Sequence, residues 1–270
     1  NGWALQAGTS HFLGQNFAKA FDVYYQTENN TRELVWATSW GVSTRLLGAM
    51  LMVHSDDRGV LLPPRVAPYQ VVIVPIFSGN SEADANVERK CQEVQDWLET
   101  GGVRTKFDDR RNVRHGSKFY EWERKGVPLR LDIGPRDITA QQASVAARMV
   151  GKKSTVSLER SLLLESIVSE LDKIHDEMFQ IASSRLIAKT YRVDSYAEMK
   201  EMLEKDEQRG LYLVPWKEDA ENEEKIKLEC KATIRCYPFE SNRSEQEISK
   251  LKCFYSGQPA THYAIFARAF

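Results

Sequence analysis

Residues 69–76 read YQVVIVPI, an apolar and β-branched run typical of a strand buried on both faces of a parallel sheet. A helical pattern follows at 82–99, and Gly101-Gly102 ends it in the manner of a helix C-terminus. The pattern then predicts a strand at 103–107, a helix at 117–124, and strands at 127–133 and 143–150. Because alternating strands and helices favour parallel pairing, this block predicts an α/β domain with a mostly parallel sheet.

Two further blocks flank this domain. The first ends at Pro63-Pro64 and predicts strands at 35–39 and 49–54. After a long helical pattern at 157–190, the last block predicts helices at 195–207 and 218–231 and strands at 211–216, 233–237 and 262–267. We therefore expect three domains, at residues 1–67, 68–175 and 176–270.

The composition is that of a folded protein. Of 270 residues, 42% are hydrophobic and 28% charged, which excludes wholesale disorder. No run approaches the roughly 18 apolar residues of a membrane span. The N-terminus has no signal-peptide pattern and no Met, so we expect the chain to begin inside a longer protein. Four cysteines are too few for a disulfide scaffold and favour a reducing, cytoplasmic setting.

Charge is unevenly distributed although the formal net charge is −1. Residues 104–153 hold 13 Lys and Arg against 6 Asp and Glu, whereas residues 193–250 hold 10 against 15. A basic middle domain suggests contact with a polyanion. A solvated basic surface would give the same pattern, and charge alone leaves both interpretations open.

Two polar strings lie in the first block. Residues 6–17, QAGTSHFLGQNF, could surround a small polar ligand or simply form a capped loop. Residues 39–50, SWGVSTRLLGAM, hold Arg45, the only Lys or Arg between Arg32 and Arg58. An arginine among apolar neighbours needs an anion, and either a phosphate or an internal carboxylate satisfies it.

These strings combine with VLLPPRVAP at 60–68, GSKFYEWE at 116–123, KGVPLR at 125–130 and GPRD at 134–137. Together they resemble the prolyl-tRNA synthetases of the eukaryote and archaeal type over nearly the whole chain. The resemblance implies that 1–67 is the end of a class II antiparallel-sheet catalytic domain with its third signature motif. It implies an α/β anticodon-binding domain at 68–175 and a small α+β C-terminal domain at 176–270.

The resemblance also implies the chemistry. Proline and ATP, with Mg²⁺, would form prolyl-adenylate, and the prolyl group would pass to the 3′ end of proline tRNA. Arg45 would be the catalytic, ATP-binding arginine of motif three, with Gln6, Thr9 and Thr44 on the nucleotide side. The proline pocket would be lined by His11, Trp40 and Gly41. The first two motifs, including the α-phosphate arginine and the Thr/Glu pair that reads the proline amine, would precede Asn1.

For tRNA, the resemblance places anticodon recognition in the middle domain, where aromatic rings can stack on bases and cations hold phosphates. The candidate tRNA-binding residues are Lys118, Phe119, Glu123, Arg130 and Arg136. Trp122 is predicted to be a core aromatic. The resemblance further implies that Phe270 packs near the active site, although a strand that merely finishes a sheet would also end in such residues.

Two clusters raise the question of a metal. Cys230, Cys236, Cys253 and His262 could bind zinc, but many family members carry two cysteine pairs in this region, and here one pair is missing and the other keeps one cysteine. We therefore expect a zinc-binding-like domain without zinc, and no other metal site. His54, Asp56 and Asp57 could form a metal or base cluster, but a structured turn is the favoured interpretation.

The leading hypothesis is a prolyl-tRNA synthetase lacking part of its active site in this chain, homodimeric when full length. The alternative is a non-catalytic tRNA-binding module derived from a synthetase. The residues upstream of Asn1 would discriminate between the two, since a motif-two arginine there would identify the enzyme.

Overall fold

The computed structural model describes residues 2–151, 153–242 and 244–269, apart from the side chains of residues 206 and 245. The chain divides into two compact units, one of residues 47–183 and one of residues 1–46 with 184–270. The domain boundaries expected after residues 67 and 175 stay predictions.

The N-terminal segment consists of short antiparallel ribbons and helices. Its elements are β1 (Gly8–Gly14), α1 (Asn16–Ala20), β2 (Tyr24–Gln26), β3 (Arg32–Leu34), β4 (Ala37–Val42) and α2 (Arg45–His54). Strand β1 pairs with β4, and β2 pairs with β3, both antiparallel.

The strand predicted at 49–54 is wrong, because these residues belong to α2. A short apolar run does not distinguish a strand from a helix, and the preceding Arg45-Leu46-Leu47 continues a helical pattern with strong helix formers. The polar string at 6–17 is also not a simple loop, since most of it forms β1.

The unit of residues 47–183 alternates strands and helices as predicted. Its elements after α2 are β5 (Val71–Pro75), α3 (Ser81–Thr100), β6 (Thr105–Phe107), α4 (His115–Arg124), β7 (Leu129–Ile133), α5 (Pro135–Ala140), β8 (Gln142–Ala147), β9 (Lys153–Ser157) and α6 (Arg160–Ala188). The five strands form one sheet in the order β6-β5-β7-β8-β9.

This sheet is less parallel than predicted. Strand β5 is parallel to both β6 and β7, but β8 runs antiparallel to β7 and to β9. The reversal follows from the short α5, because a compact turn of this kind cannot carry the chain back across the sheet as a full crossover helix does. Strand β9 and helix α5 were not predicted.

The two faces of β5 explain its continuous apolar sequence. Val71 and Ile73 pack into the main core with α3 and α6, whereas Val72 and Val74 pack on the other face with Trp122 of α4. Because both faces are covered, every position of the strand is apolar. Helix α4 covers only part of its face of the sheet, and a cavity lies beside it.

The C-terminal residues form a second, smaller α/β assembly. Its elements are β10 (Thr190–Arg192), α7 (Tyr196–Glu204), β11 (Leu211–Trp216), α8 (Ala220–Cys230), β12 (Ala232–Cys236), α9 (Glu245–Ile248) and β13 (His262–Arg268). The sheet order is β10-β11-β13-β12, with β13 antiparallel to both neighbours. The core is aromatic: Tyr212, Trp216 and Phe266 are fully buried.

The N-terminal segment reaches this second sheet within the same unit. Ala4 forms a parallel bridge with Ala269, and the Ala4 amide donates to the Arg268 carbonyl over 2.8 Å. The segment that carries Gln6 and Thr9 therefore starts beside the end of β13. Phe270, for which a role near the active site is predicted, lies outside the described residues.

Candidate nucleic-acid interface

A cavity of about 240 Å³ opens on the sheet face beside α4. Its polar wall is formed by Arg58, Glu123, Arg130, Arg148 and Lys153, and its apolar wall includes Val72, Trp122, Val127 and Ala146. Of the predicted tRNA-binding residues, Glu123 and Arg130 line the cavity directly, and Phe119 packs against the apolar wall as part of the same small core.

Arg130 is held rigidly inside this cavity. Its Nε and Nη2 donate to the two carboxylate oxygens of Asp132 over 2.8 and 3.2 Å. Its guanidinium carbon lies 3.8 Å from the centroid of the Phe119 ring, within cation–π distance. Lys153 also reaches Asp132, at 3.4 Å, and lies 5.4 Å from the same ring centroid. The planar guanidinium therefore covers one face of Phe119, and that face is not free for a base.

The electrostatic balance of the cavity is mixed. The four lining cations are opposed by Glu123 and by two carboxylates that pair with them, Asp132 and Asp56. Because the positive and negative charges nearly cancel, the cavity suits a neutral group that both donates and accepts hydrogen bonds. It suits an isolated phosphate less well. A nucleobase edge has that character.

Lys118 is not a surface contact, which corrects its prediction as a tRNA-binding residue. Its side chain is fully buried, and its ammonium donates to the Asp108 carbonyl over 2.8 Å and lies 3.5 Å from the Asp108 carboxylate. Trp122, one helical turn later, donates its indole N–H to the same carboxylate over 2.8 Å. Because Lys118 and Trp122 are spaced i and i+4, they share the buried face of α4.

Asp108 is the centre of that buried cluster. Burial opposes its ionisation, but hydrogen bonds from Arg110 and Trp122 and the nearby Lys118 charge outweigh burial and hold the pKa of Asp108 well below its ordinary value. The cluster fixes α4, and with it Phe119 and Glu123, against the end of β6. Trp122 is a core residue, as predicted, with 7% of its surface exposed.

Arg136 is exposed at the start of α5 and does not line the cavity. Conversely, Arg58, Arg148 and Lys153 line it but were not predicted. Lys153 lies in the basic stretch of residues 104–153, so the charge distribution could have indicated it as a candidate. The pair of Arg148 with Asp56 spans 92 residues and leaves no local sequence pattern.

The residues predicted for ATP and proline lie on the β1–β4 ribbon and at the start of α2. Thr9 is directly opposite Gly41, and His11 is opposite Ser39. Paired residues point to the same face of the ribbon, and successive residues along a strand point to opposite faces. Trp40 and its partner Ser10 therefore project from the face opposite to that of Thr9 and Gly41. The ribbon therefore brings Thr9, His11 and Gly41 together but not Trp40.

The remaining nucleotide candidates are close in sequence to this ribbon. The Gln6 amide donates to the Thr9 hydroxyl over 2.9 Å, so these two predicted residues touch. Thr44 immediately precedes α2, and Arg45 is its first residue and is exposed, with its amide 3.4 Å from the Ser43 hydroxyl.

The possible metal ligands are not gathered into a site in the part of the chain that the structure describes, where no group of three or more His, Cys, Asp or Glu could hold an ion. Cys230 and Cys253 are buried, whereas Cys236 is exposed. Asp56 instead forms a turn, as favoured above: its carboxylate accepts from the Arg58 amide over 3.0 Å, and it bridges to Gly59. The expectation of a domain without zinc stays a prediction.

Within the described ranges, no helix is both long enough and apolar enough to cross a membrane. An α/β domain whose open sheet face holds arginines, a carboxylate and an aromatic ring has the residue types of a nucleic-acid-binding class of protein.

Comparisons with known proteins narrow that class. The family model described as "Anticodon binding domain" matches residues 70–164, and the one described as "Prolyl-tRNA synthetase, C-terminal" matches 196–270. A protein named proline–tRNA ligase from Porphyromonas gingivalis is 46% identical over 270 residues, covering 100% of this chain and 52% of the relative. A proline–tRNA ligase from Chloroflexus aurantiacus is 44% identical over 271 residues, covering 100% of this chain and 54% of the relative.

Over its whole length the chain is similar to prolyl-tRNA synthetases. It spans about half the length of the curated relatives it matches and corresponds to their C-terminal part.

Proposed function

We propose that the chain is the part of a proline–tRNA ligase that reads the anticodon and supplies motif three of the catalytic site. The complete ligase would activate L-proline with ATP and transfer it to proline tRNA in the cytoplasm, and would act as a homodimer. The eukaryote and archaeal subtype is part of this proposal.

The observation that carries the proposal is the Glu123 carboxylate, which lines the cavity together with Arg58 and Arg130 and accepts a hydrogen bond from Arg58. A guanine presents two N–H donors on its pairing edge and two acceptors, O6 and N7, on its major-groove edge. A carboxylate can accept from the donors while arginine donates to the acceptors. Codons for proline begin with two cytosines, so the anticodon carries two guanines that such a site would read.

The geometry also supports stacking. The Arg130 guanidinium lies over the Phe119 ring and is fixed by Asp132, so an unstacked base would lie against its other face. Lys153 is 59% exposed and can neutralise a backbone phosphate near the rim. Phe119 would act by supporting Arg130 and not as the stacking surface itself.

For the catalytic part, the proposal assigns Arg45 to the ATP phosphates, with Gln6, Thr9 and Thr44 on the nucleotide side. Arg45 is exposed, and the N–H groups of its guanidinium can donate two parallel hydrogen bonds to a phosphate. ATP would enter with Mg²⁺ as substrate. His11 and Gly41 share one face of the ribbon and would line the proline side, whereas Trp40 would contribute from the opposite face only through its backbone.

The anticodon role is tested by binding. The 270-residue chain is titrated with an anticodon stem-loop RNA carrying the proline anticodon and with a matched RNA in which both guanines are replaced by adenines. We expect the guanine RNA to bind at least about tenfold more tightly, since a good base contact contributes about 1–3 kcal/mol of discrimination. Equal affinity for the two RNAs would refute sequence reading by this domain.

The ligase assignment needs a separate test. Proline-dependent exchange of pyrophosphate with ATP is measured on a polypeptide that includes the first two signature motifs ahead of this chain. Exchange supports the ligase. Its absence, with anticodon binding intact, would favour the alternative of a non-catalytic tRNA-binding module.

A further inference from the structure

A turn outside the matched anticodon-binding model forms one side of the cavity. Arg58 lies 65 residues before Glu123, and the family model begins only at residue 70. We propose that Arg58 is a positioning residue for the anticodon pocket: it holds the Glu123 carboxylate in the orientation that reads a guanine, and Asp56 and Arg148 hold Arg58. This inference rests on the function proposed above.

A buried arginine, Arg148, holds the turn that carries Arg58. The Arg148 side chain is 1% exposed and forms a bidentate pair with Asp56, with Nη1 and Nη2 at 3.0 and 2.6 Å from the two carboxylate oxygens. Arg148 also donates from Nε to the Glu123 carbonyl over 2.8 Å and from Nη2 to the Gly59 carbonyl over 3.3 Å. One guanidinium therefore ties the turn of residues 56–59 to the end of α4.

Backbone hydrogen bonds also hold these two segments together. The Val60 amide donates to the Arg124 carbonyl over 3.1 Å, and the Leu62 amide donates to the Gly126 carbonyl over 3.4 Å. A Cβ on Gly126, which has φ +75°, would lie 2.6 Å from the Val60 carbonyl oxygen. The two segments thus approach too closely for any residue but glycine at this position.

Arg58 belongs to this fixed turn, and its side chain contacts Glu123. Its Nη1 donates to Glu123 Oε1 over 3.1 Å, while Nη2 donates to the Arg148 carbonyl over 3.2 Å and lies 3.5 Å from Asp56 Oδ2. Two hydrogen bonds and one ion pair, each to a different segment, therefore hold the Arg58 guanidinium. An isolated ion pair between two half-exposed side chains would be mobile and weak.

The consequence falls on the Glu123 carboxylate. Arg58 occupies Oε1, and among the described residues no hydrogen bond reaches Oε2. A carboxylate fixed at one oxygen offers the other in a set direction to the N–H donors of a base. Without Arg58, Glu123 would sample several rotamers and lose entropy on binding a guanine.

A simpler role is a direct phosphate contact, because Arg58 is 47% exposed. The two roles differ in two measurable ways. A phosphate contact strengthens binding of any sequence and adds about 0.7–0.9 to the slope of log affinity against log salt. A positioning role through Glu123 changes the preference for guanine and leaves the slope nearly unchanged.

The experiment uses the 270-residue chain, the two stem-loop RNAs described above and a series of salt concentrations. We expect Arg58→Ala to reduce the preference for the guanine RNA by about tenfold, with the salt slope unchanged. Glu123→Gln should do the same, and the double variant should be no worse than either single variant, since both remove one interaction. Arg58→Lys should recover part of the preference through a single bond to Glu123.

Arg65→Ala is the matched control, because Arg65 is exposed and does not line the cavity. It should leave the preference at the wild-type value. Equal weakening of both RNAs by Arg58→Ala, with a lower salt slope, would overturn the positioning role. A wild-type chain without any preference would instead overturn the proposed function, and thermal melting confirms that each variant is folded.

Discussion

Arg130 and Phe119 pack against each other, with the guanidinium carbon 3.8 Å from the centroid of the ring. The two residues come from different elements, β7 and α4, and the buried Asp132 fixes the arginine from behind. A ring that a sequence pattern marks as a base-stacking platform instead supports a cation. This changes which substitution should damage RNA binding most.

We predict that Arg130→Lys lowers the affinity of the chain for the guanine stem-loop by about tenfold, close to the effect of Arg130→Ala. Lysine keeps the charge but loses the planar surface and the bidentate contact with Asp132, so charge alone does not rescue binding. Fluorescence anisotropy measures the affinity. Lys125→Ala, which removes a cation immediately after α4, serves as the control. Retention of wild-type affinity in Arg130→Lys would show that the site needs only a positive charge.

The salt dependence of RNA binding should reflect Lys153. We predict that Lys153→Ala reduces the slope of log affinity against log salt by about 0.7–0.9, the contribution of one phosphate contact to single-stranded RNA or a duplex. Lys106→Ala removes another exposed lysine from β6, the edge strand at the opposite side of the sheet, and should leave the slope unchanged. Equal slopes for wild type and Lys153→Ala would remove Lys153 from the interface.

Sequence reasoning found most elements of the middle domain, because their apolar periods are strong, but not the short α5 and β9. Its failures have physical causes. The family resemblance predicts Lys118 as an RNA contact, yet the carboxylate and carbonyl of Asp108 satisfy its charge inside the domain. Helix α2 was misread because a short apolar run fits either period. The side of the cavity formed by Arg58 and Arg148 depends on contacts over 65 and 92 residues, which no local pattern encodes.

Acid stability should depend on Asp108. Its pKa in the folded chain is below the unfolded value, so its carboxylate stabilises the fold above the unfolded pKa of about 3.9, and that stabilisation is lost as pH falls towards the folded pKa. We predict that Asp108→Asn lowers the free energy of unfolding at pH 7 by about 3 kcal/mol, because Lys118 loses its buried countercharge. The difference from wild type should shrink steadily below about pH 4.

Urea unfolding at a series of pH values measures this dependence, and Asp109→Asn, which alters the neighbouring exposed aspartate, is the control. A constant difference between wild type and Asp108→Asn from pH 7 to pH 2 would show that the carboxylate charge does not stabilise the fold.

The cysteines should differ sharply in reactivity. Burial raises the pKa of the Cys91 thiol to about 12, and Cys230 and Cys253 are also buried, whereas Cys236 is exposed at the end of β12. Since the thiolate is the reactive form, we predict that one thiol per chain reacts rapidly with an aromatic disulfide reagent at pH 8, and all four react in denaturant. Cys236→Ser should abolish the rapid phase. Rapid reaction of a second thiol would place Cys230 or Cys253 at the surface.

The proposed catalytic role of Arg45 gives the last prediction. Arg45 is exposed at the first residue of α2, next to the ribbon on which Thr9 and Gly41 face each other. In a polypeptide that includes the first two signature motifs, Arg45→Ala should slow pyrophosphate exchange by about tenfold or more, because a charge-assisted phosphate contact contributes about 1.5–3 kcal/mol. Affinity for the anticodon stem-loop should stay unchanged, since Arg45 does not line the cavity.

Arg32→Ala, which removes an exposed arginine from strand β3 of the same segment, is the matched control and should leave exchange at the wild-type rate. Arg45→Lys separates charge from geometry: a guanidinium that binds phosphate through two parallel donors cannot be replaced by a point charge, so lysine should restore little of the rate. If Arg45→Ala shows wild-type exchange with the same ATP dependence, the arginine does not bind the nucleotide and is only a solvated residue at the start of α2.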